Sequence, residues 1–156
     1  AGLEESEILE IIRLLWSGEL VEYQGQYYQF DALEMNPAPG AYIPIWIGGI
    51  SDPAMKRAAR LADGWVTDLQ TSAEIIDSIE RISSWRREYG REGDAFEVMA
   101  TPSDAWDVDG YRRLETAGVT HILTMPGPFD HGDSQALEHK IDGIRRFADD
   151  VISHFD

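Results

Sequence analysis

The sequence contains no cysteine among its 156 residues. Disulfides, thiolate nucleophiles and cysteine-based metal sites are therefore excluded. Basic residues are also scarce, since 13 Lys and Arg stand against 29 Asp and Glu and the formal net charge is −16. Because nucleic acids and anionic membranes are bound through clustered Lys and Arg, the composition argues against both kinds of partner.

Long apolar runs are absent as well. No run approaches the roughly 20 residues that cross a bilayer, and no basic segment followed by an apolar one opens the chain as a secretory signal does, so we expect a cytoplasmic protein. The hydrophobic content of 43% favours a single folded domain over residues 1–156. The chain begins with Ala1 rather than Met and enters a helical pattern at once, so we expect a cut or processed edge there.

The first 43 residues are predicted to form a helix, a hairpin and a connector. Apolar residues recur at helical spacing over 4–16, and the acidic residues at the start of that helix are expected to be solvated (Glu4, Glu5 and Glu7). Gly25 separates two aromatic-rich runs within 20–30, which predicts a short hairpin. Residues 36–44 hold three prolines and a glycine and are predicted to be a connector.

Four strand–helix units are predicted after the connector. The strands are expected at 44–48, 64–67, 96–100 and 119–125, and the helices at 51–62, 72–90, 107–117 and 134–154. The last helix is expected to bury an apolar stripe (Leu137, Ile141, Ile144, Ala148 and Val151). Near-continuous apolar strands that alternate with helices are typical of an α/β fold with a parallel sheet, and four units are half of a (β/α)8 TIM barrel. A small open doubly wound sheet is the alternative.

A half barrel has two open sheet edges, whereas a complete barrel has none. Open edges promote pairing with other chains. We therefore expect either a homodimer or association with a missing N-terminal half.

The most informative segment is the glycine pair that follows the first of these strands. Gly48, Gly49, Ile50 and Ser51 lead directly into a helix, with Asp52 expected as its N-cap and Pro53 in its first turn. A helix N-terminus offers free N–H groups and a partial positive charge, which suit a phosphate. A tight turn before a capped helix explains the same glycines equally well, and the Asp52 carboxylate would repel a phosphate unless it caps its own helix.

Two longer stretches resemble the luciferase-like monooxygenase family, particularly its deazaflavin-dependent branch. They are LLWSGELVEYQGQYYQF and PIWIGGISDPAMKRAARLADGWV. The first matches a Leu-Trp-x-Gly helix end and a hairpin with Val21, Gly25 and Tyr28. The second matches a Pro-Ile-Trp-Ile-Gly-Gly strand and a helix-to-strand joint that runs from Arg57 to Trp65. The resemblance is sharpest over residues 12–67.

The resemblance implies the C-terminal half of a barrel oxidoreductase or monooxygenase that uses coenzyme F-420, a deazaflavin, or flavin mononucleotide (FMN). Gly48, Gly49, Ile50 and Ser51 would hold the cofactor phosphate, and the substrate would be a small molecule. The catalytic residues of relatives have no matching positions here, so this chain alone is expected to be inactive. The alternative is a non-catalytic half barrel that dimerises and binds flavin without turnover.

The remaining candidates carry weaker signals. Four residues at the ends of the predicted strands face the site in any barrel of this kind and are candidates for the substrate side (Thr67, Asp68, Thr101 and Met125). Asp130, His131, Asp133 and His139 superficially suggest a metal site, but a polar loop explains them better and no metal is expected. His121 lies in an apolar strand and is expected to be a hydrogen-bonded core histidine.

Overall fold

The computed structural model describes residues 2–124 and 137–155. The chain begins with helix α1, followed by two hairpin strands and then by strands that alternate with helices. The elements are α1 (Gly2–Trp16), β1 (Val21–Gln24), β2 (Gln29–Leu33), β3 (Trp46–Gly48), α2 (Asp52–Leu61), β4 (Gly64–Gln70), α3 (Ser72–Glu88), β5 (Glu97–Pro102), α4 (Val108–Thr116), β6 (His121–Ile122), α5 (Leu137–Asp150) and a short 3-10 turn (Ile152–His154).

The strands form two sheets. Strands β1 and β2 pair antiparallel, and the other four lie in the order β3-β4-β5-β6. The pair β5 and β6 runs parallel, with Met99 opposite His121 and Ala100 opposite Ile122. Sequence order equals spatial order here, as expected when each helix crosses between neighbouring parallel strands. The prediction of an α/β fold with a parallel sheet is therefore confirmed.

The chain divides into two compact units. The first comprises Ala1–Trp65 and Ile82–Phe96, and the second comprises Val66–Arg81 and Glu97–Asp156. In the first unit, Met55, Ala58, Ala59 and Trp65 are fully buried, so helix α2 contributes one apolar face made mainly of small residues. The core of the second unit includes buried residues of α3, β5 and α4 (Ile75, Val98, Ala100, Tyr111 and Leu114).

The start of α1 is bonded to the hairpin through the side chain of Glu7. The Glu7 carboxylate accepts the N–H groups of Gln26, Tyr27 and Tyr28 at 2.6, 2.9 and 3.1 Å. Glu5 pairs with Arg57 at 2.7 Å. Desolvation raises the pKa of Glu7, but the three N–H groups outweigh it and the pKa is lowered. The expectation of a solvated acidic run is therefore wrong for Glu7, to which the hairpin turn supplies three donors, whereas Glu4 and Glu5 are exposed as expected.

Three other predictions need correction. The N-cap of α2 is Ser51, and Asp52 is the first helical residue. The last strand extends only over His121–Ile122, while Met125 lies outside the described residues. The expected buried stripe of the last helix is wrong at its first three positions, since Leu137 is 69%, Ile141 37% and Ile144 59% exposed, whereas Val151, directly after the helix, is buried as expected. Helix α5 packs instead through Phe147, which meets the Tyr111 ring edge-on at 6.4 Å.

None of the described helices has the length and apolar character needed to cross a membrane.

Candidate functional site

The turn between β3 and α2 is built by a short strand that ends in glycine and a helix that begins three residues later. Ile47 is buried and anchors the strand. Ser51 is the N-cap, with extended backbone at φ −76° and ψ 148°, and its Oγ accepts the Ala54 N–H at 3.4 Å. The Ser51 carbonyl accepts the first helical bond from the Met55 N–H at 2.9 Å. The predicted arrangement of strand, glycine turn and capped helix is therefore present.

Gly49 is required by the shape of this turn. Its φ is +113°, a region that residues with a Cβ rarely adopt. A Cβ at this position would also lie 3.2 Å from the Ala54 Cβ. The tight-turn explanation of the glycine pair is thus correct, and any ligand role is additional to it.

The turn is tied to the protein interior by a tryptophan. Trp65 is fully buried, and its indole Nε1–H donates to the Gly49 carbonyl at 2.8 Å. A buried indole N–H needs an acceptor, and here the acceptor is backbone of the turn itself. The backbone of the turn therefore has a fixed orientation.

The donor groups of the turn suit a phosphate, with one opposing charge. Pro53 has no N–H, so the first turn of α2 offers fewer donors than most helices. The Ser51 hydroxyl accepts from Ala54 and still has its own hydrogen to donate. Ser51 and Ile50 are exposed, whereas Gly49 is half-buried. The carboxylate of Asp52 is exposed in the first turn and opposes an anion.

The next two helix starts are closed by carboxylates. At α3, Asp104 Oδ1 accepts the N–H and the hydroxyl of Ser72, both at 2.7 Å, and Glu74 accepts the N–H of Thr71 at 2.8 Å. The bonds from Ser72 lower the pKa of Asp104, and the bonds from Thr71 lower the pKa of Glu74. At α4, Asp107 Oδ1 accepts the Gly110 N–H at 2.8 Å. The Thr71 hydroxyl also accepts the Glu74 N–H at 3.4 Å, so α3 has a neutral cap like that of α2 and differs from α2 in the carboxylates of Asp104 and Glu74 that bond around it.

The start of β3 is held by an acidic residue. Asp63 accepts the Ile45 N–H at 2.7 Å and bonds with the Tyr42 hydroxyl and the Arg13 guanidinium. Its own N–H donates to the Ile45 carbonyl at 2.8 Å. Burial raises the pKa of Asp63, but the bonds from Tyr42, Ile45 and Arg13 prevail and hold it below its ordinary value. This carboxylate fixes the strand that carries the glycine turn.

The structure brings together two of the predicted substrate-side residues. Thr67 is buried, and its Oγ1 accepts the Thr101 N–H at 3.0 Å, so the Thr67 side chain links β4 to β5 rather than lining open space. Asp68 is exposed and accepts the N–H of Leu69 at 2.8 Å. The fourth candidate, Met125, falls in the segment that is not described.

The histidines differ from expectation or lie outside the described part. His121 is exposed, and its Nδ1 lies 2.9 Å from the Thr120 hydroxyl, so the expectation of a core histidine is wrong. The strand is at the end of the sheet order, which leaves this side chain uncovered. His139 is exposed on α5, and its three predicted companions lie in the segment without description (Asp130, His131 and Asp133).

Sequence reasoning missed Trp65 and Asp63 as residues that shape the site. In the sequence, Trp65 was noted only as the end of the helix-to-strand joint. The available signal was chemical, because a tryptophan in an apolar strand must place its N–H on some acceptor. An aspartate directly before such a strand signals in the same way, since a carboxylate beside the core needs donors.

Comparison with known proteins gives one family and a set of relatives. The family model described as luciferase-like monooxygenase matches residues 5–147. An uncharacterised protein of Mycobacterium tuberculosis is 37% identical over 154 residues, which are 97% of this chain and 53% of that protein. An F-420-dependent glucose-6-phosphate dehydrogenase of Nakamurella multipartita is 26% identical over 97% of this chain and 43% of its own length. The chain thus spans about half the length of these relatives.

A solved structure shows the same fold at low sequence identity. The coenzyme F-420-dependent tetrahydromethanopterin reductase from Methanopyrus kandleri superposes with a TM-score of 0.73 at 17% identity, covering 96% of this chain and 62% of that one. An identity this low is informative for fold alone. The prediction that the chain is part of a (β/α)8 barrel is confirmed.

Proposed function

Because the chain belongs to the luciferase-like monooxygenase family, we propose that it is the part of a deazaflavin-dependent oxidoreductase that holds the cofactor phosphate. The turn over residues 48–51 would be the phosphate site. The carrying observation is the neutral Ser51 cap at the start of α2, in a chain whose next two helix starts are closed by carboxylates. The positive end of a helix favours an anion, which at α2 competes with the compensating charge of Asp52 in the first turn.

The residues present fit a phosphate group. Gly48 and Gly49 have no side chains, so a ligand can approach the backbone closely. The Ser51 hydroxyl supplies a donor, and the exposed position of Ile50 leaves its backbone within reach of solvent. Against these stands the exposed Asp52 carboxylate, which lowers the affinity without occupying the turn.

We propose coenzyme F-420 as the cofactor, with FMN as the alternative. Relatives named as F-420-dependent support this choice, although the phosphate turn itself does not distinguish the two molecules, since both carry a phosphate. When bound, the cofactor supplies the hydride-transfer chemistry. The contribution of this chain is to bind and orient the phosphate end through the residues of the turn.

The test is binding of cofactors that differ in phosphate. FMN and riboflavin share one ring and differ only in that group, and F-420 can be compared with its phosphate-free deazaflavin core. Calorimetric titration of the chain is expected to show tighter binding of each phosphate-bearing member, and tighter binding of F-420 than of FMN. Equal affinity within both pairs would contradict the phosphate site. A preference for FMN would contradict the choice of cofactor alone.

The second candidate function is that of a non-catalytic module, which associates with another chain and binds flavin without turnover. Apolar side chains of the second unit are uncovered, with Leu123 53%, Leu137 69% and Ile144 59% exposed. The same unit has a cavity of about 350 Å³, whose lining includes Tyr111 of α4, Ile122 of β6 and Phe147 of α5. Surfaces of this kind favour association, so we propose that a second copy or a further part of a longer chain covers them. Light scattering at micromolar concentration tests the proposal, and a monodisperse monomer would contradict pairing of the chain with itself.

A further inference from the structure

Trp65 directs the backbone of the glycine turn as well as filling the core. Its side chain is fully buried, and its indole N–H donates to the Gly49 carbonyl at 2.8 Å. The carbonyl of Gly49 therefore points towards the interior.

The direction of one carbonyl determines the direction of the next N–H. A trans peptide unit is planar, and its C=O and N–H point in opposite directions. The peptide bonds flanking Gly49 are trans, since the cis bond in the described residues is Asn36–Pro37. When the Gly49 carbonyl faces the buried indole, the Ile50 N–H points away from that indole, and Ile50 as a residue is 47% exposed.

Two further features keep this peptide unit in place. The first is the backbone of Gly49, whose φ of +113° lets the chain turn sharply after β3. The second is the Asp63 carboxylate, which accepts the Ile45 N–H at 2.7 Å at the other end of β3. Asp63 and Trp65 lie two positions apart, where α2 leads into β4. This short segment therefore holds the residues on both sides of β3, Ile45 through the Asp63 carboxylate and Gly49 through the Trp65 indole.

We propose that Trp65 is a positioning residue for a phosphate ligand, acting through the Gly49–Ile50 peptide. The inference rests on the proposed function and adds the group that keeps the Ile50 N–H directed outwards. Without the indole N–H, the Gly49 carbonyl loses its buried donor and the orientation of the peptide unit is less restrained. The Ile50 N–H then points outwards for only part of the time, and for the rest of the time the phosphate lacks this hydrogen-bond donor.

The test is Trp65→Phe, which keeps an aromatic ring and removes the N–H. We expect F-420 to bind about three- to tenfold more weakly, which corresponds to loss of one hydrogen bond. The phosphate-free deazaflavin core should bind as it does to the unchanged chain. A role in packing alone would weaken both ligands equally. Trp85→Phe is the matched control, because it replaces a partly buried tryptophan of α3 and should alter neither affinity.

A measurement on the unchanged chain keeps the inference testable if Trp65→Phe does not fold. In a ¹⁵N-labelled sample, the Ile50 amide and the Trp65 indole signals should both shift on titration with F-420 and remain in place with the phosphate-free core. An Ile50 amide that does not respond to F-420 contradicts the inference.

The two levels of the proposal fail in different ways. If Ser51→Ala weakens F-420 binding while Trp65→Phe binds it normally, the role of Trp65 is wrong and the phosphate site stands. If the unchanged chain binds F-420 no better than its phosphate-free core, the phosphate site is wrong and the role of Trp65 is wrong with it.

Discussion

The starts of helices α2, α3 and α4 differ in the charge of the groups bonded to them. Helix α2 begins behind the neutral Ser51 hydroxyl, whereas carboxylates close the start of α3 through Asp104 and of α4 through Asp107. A carboxylate satisfies the free N–H groups and also compensates the partial positive charge. A hydroxyl satisfies an N–H without compensating that charge. The comparison teaches that capping and readiness for an anion are separate properties.

The turns before these helices differ as well. The turn before α2 contains Gly49 at φ +113°, while the described turns before α3 and α4 contain no residue with positive φ. Residues of ordinary backbone conformation suffice to join β4 to α3 and β5 to α4. Among these three turns, positive φ is therefore confined to the turn before α2, where the tight connection between β3 and α2 requires it.

The largest effect is expected from Gly49→Val, which disrupts the positive-φ conformation that distinguishes the turn before α2. A β-branched residue is strained at this φ, and its Cβ would lie 3.2 Å from the Ala54 Cβ. We expect the free energy of unfolding to fall by about 1–3 kcal/mol and the preference for F-420 over its phosphate-free core to disappear. Urea denaturation and calorimetry measure the two effects.

Gly40→Ala is the control for that substitution, because Gly40 has ordinary φ and open space around an added Cβ. It should leave both quantities unchanged. A Gly49→Val protein with undiminished preference for F-420 would mean that the shape of the turn is irrelevant to the phosphate.

A medium effect is expected when the cap of α2 and the cap of α4 are each removed. Ser51→Ala and Asp107→Ala both leave a helix N–H without its side-chain acceptor, so each should lower the free energy of unfolding by about 1 kcal/mol. Only Ser51→Ala should weaken F-420 binding, by about three- to tenfold, since it also removes a donor to the phosphate. Equal weakening by both variants would indicate a general loss of stability instead of a local contact.

The smallest effect is expected at α3, where the charge of the cap is tested by pH. The pKa of Asp104 is lowered below the ordinary 3.8 by the hydroxyl and N–H of Ser72. Its contribution to stability is therefore present above pH 3.8 and is lost as the pH falls through the lower pKa of the folded state. The melting temperature of the unchanged chain should exceed that of Asp104→Asn by about 2 °C at pH 7.

The difference should shrink progressively as the pH falls below 3.8, and F-420 binding at neutral pH should be the same in both proteins. A difference that persists in acid would show that the carboxylate acts through its shape and not through its charge.

Much of the fold follows from local pattern, and the failures have physical reasons. Strands β3 to β5 and helices α2 to α4 lie close to their predicted positions because apolar periodicity and breakers such as Gly118 are local signals. The stripe of α5 was misjudged since amphipathic spacing indicates which face can be buried but not whether anything covers it. Ile144 has the spacing of a core residue and is 59% exposed.

The position of the candidate site along the chain was predicted correctly, but only part of its hydrogen bonding was predicted. The residues of the turn were identified from the sequence, but Ser51 rather than Asp52 caps the helix, a difference of one position that pattern alone does not resolve. The contacts of Trp65 with Gly49 and of Asp63 with Ile45 join residues 16 and 18 positions apart. Such contacts depend on how the chain packs and have no local signal.

The central claim is that the neutral cap of α2 leaves this helix start available to a phosphate, and Ser51→Asp tests it most directly. An aspartate is an equally good N-cap, so the unfolding midpoint should remain unchanged while a negative charge is added as at α4. Calorimetry is expected to show F-420 binding at least tenfold weaker, with unaltered binding of the phosphate-free core. Undiminished F-420 binding by a normally folded Ser51→Asp protein would contradict the account.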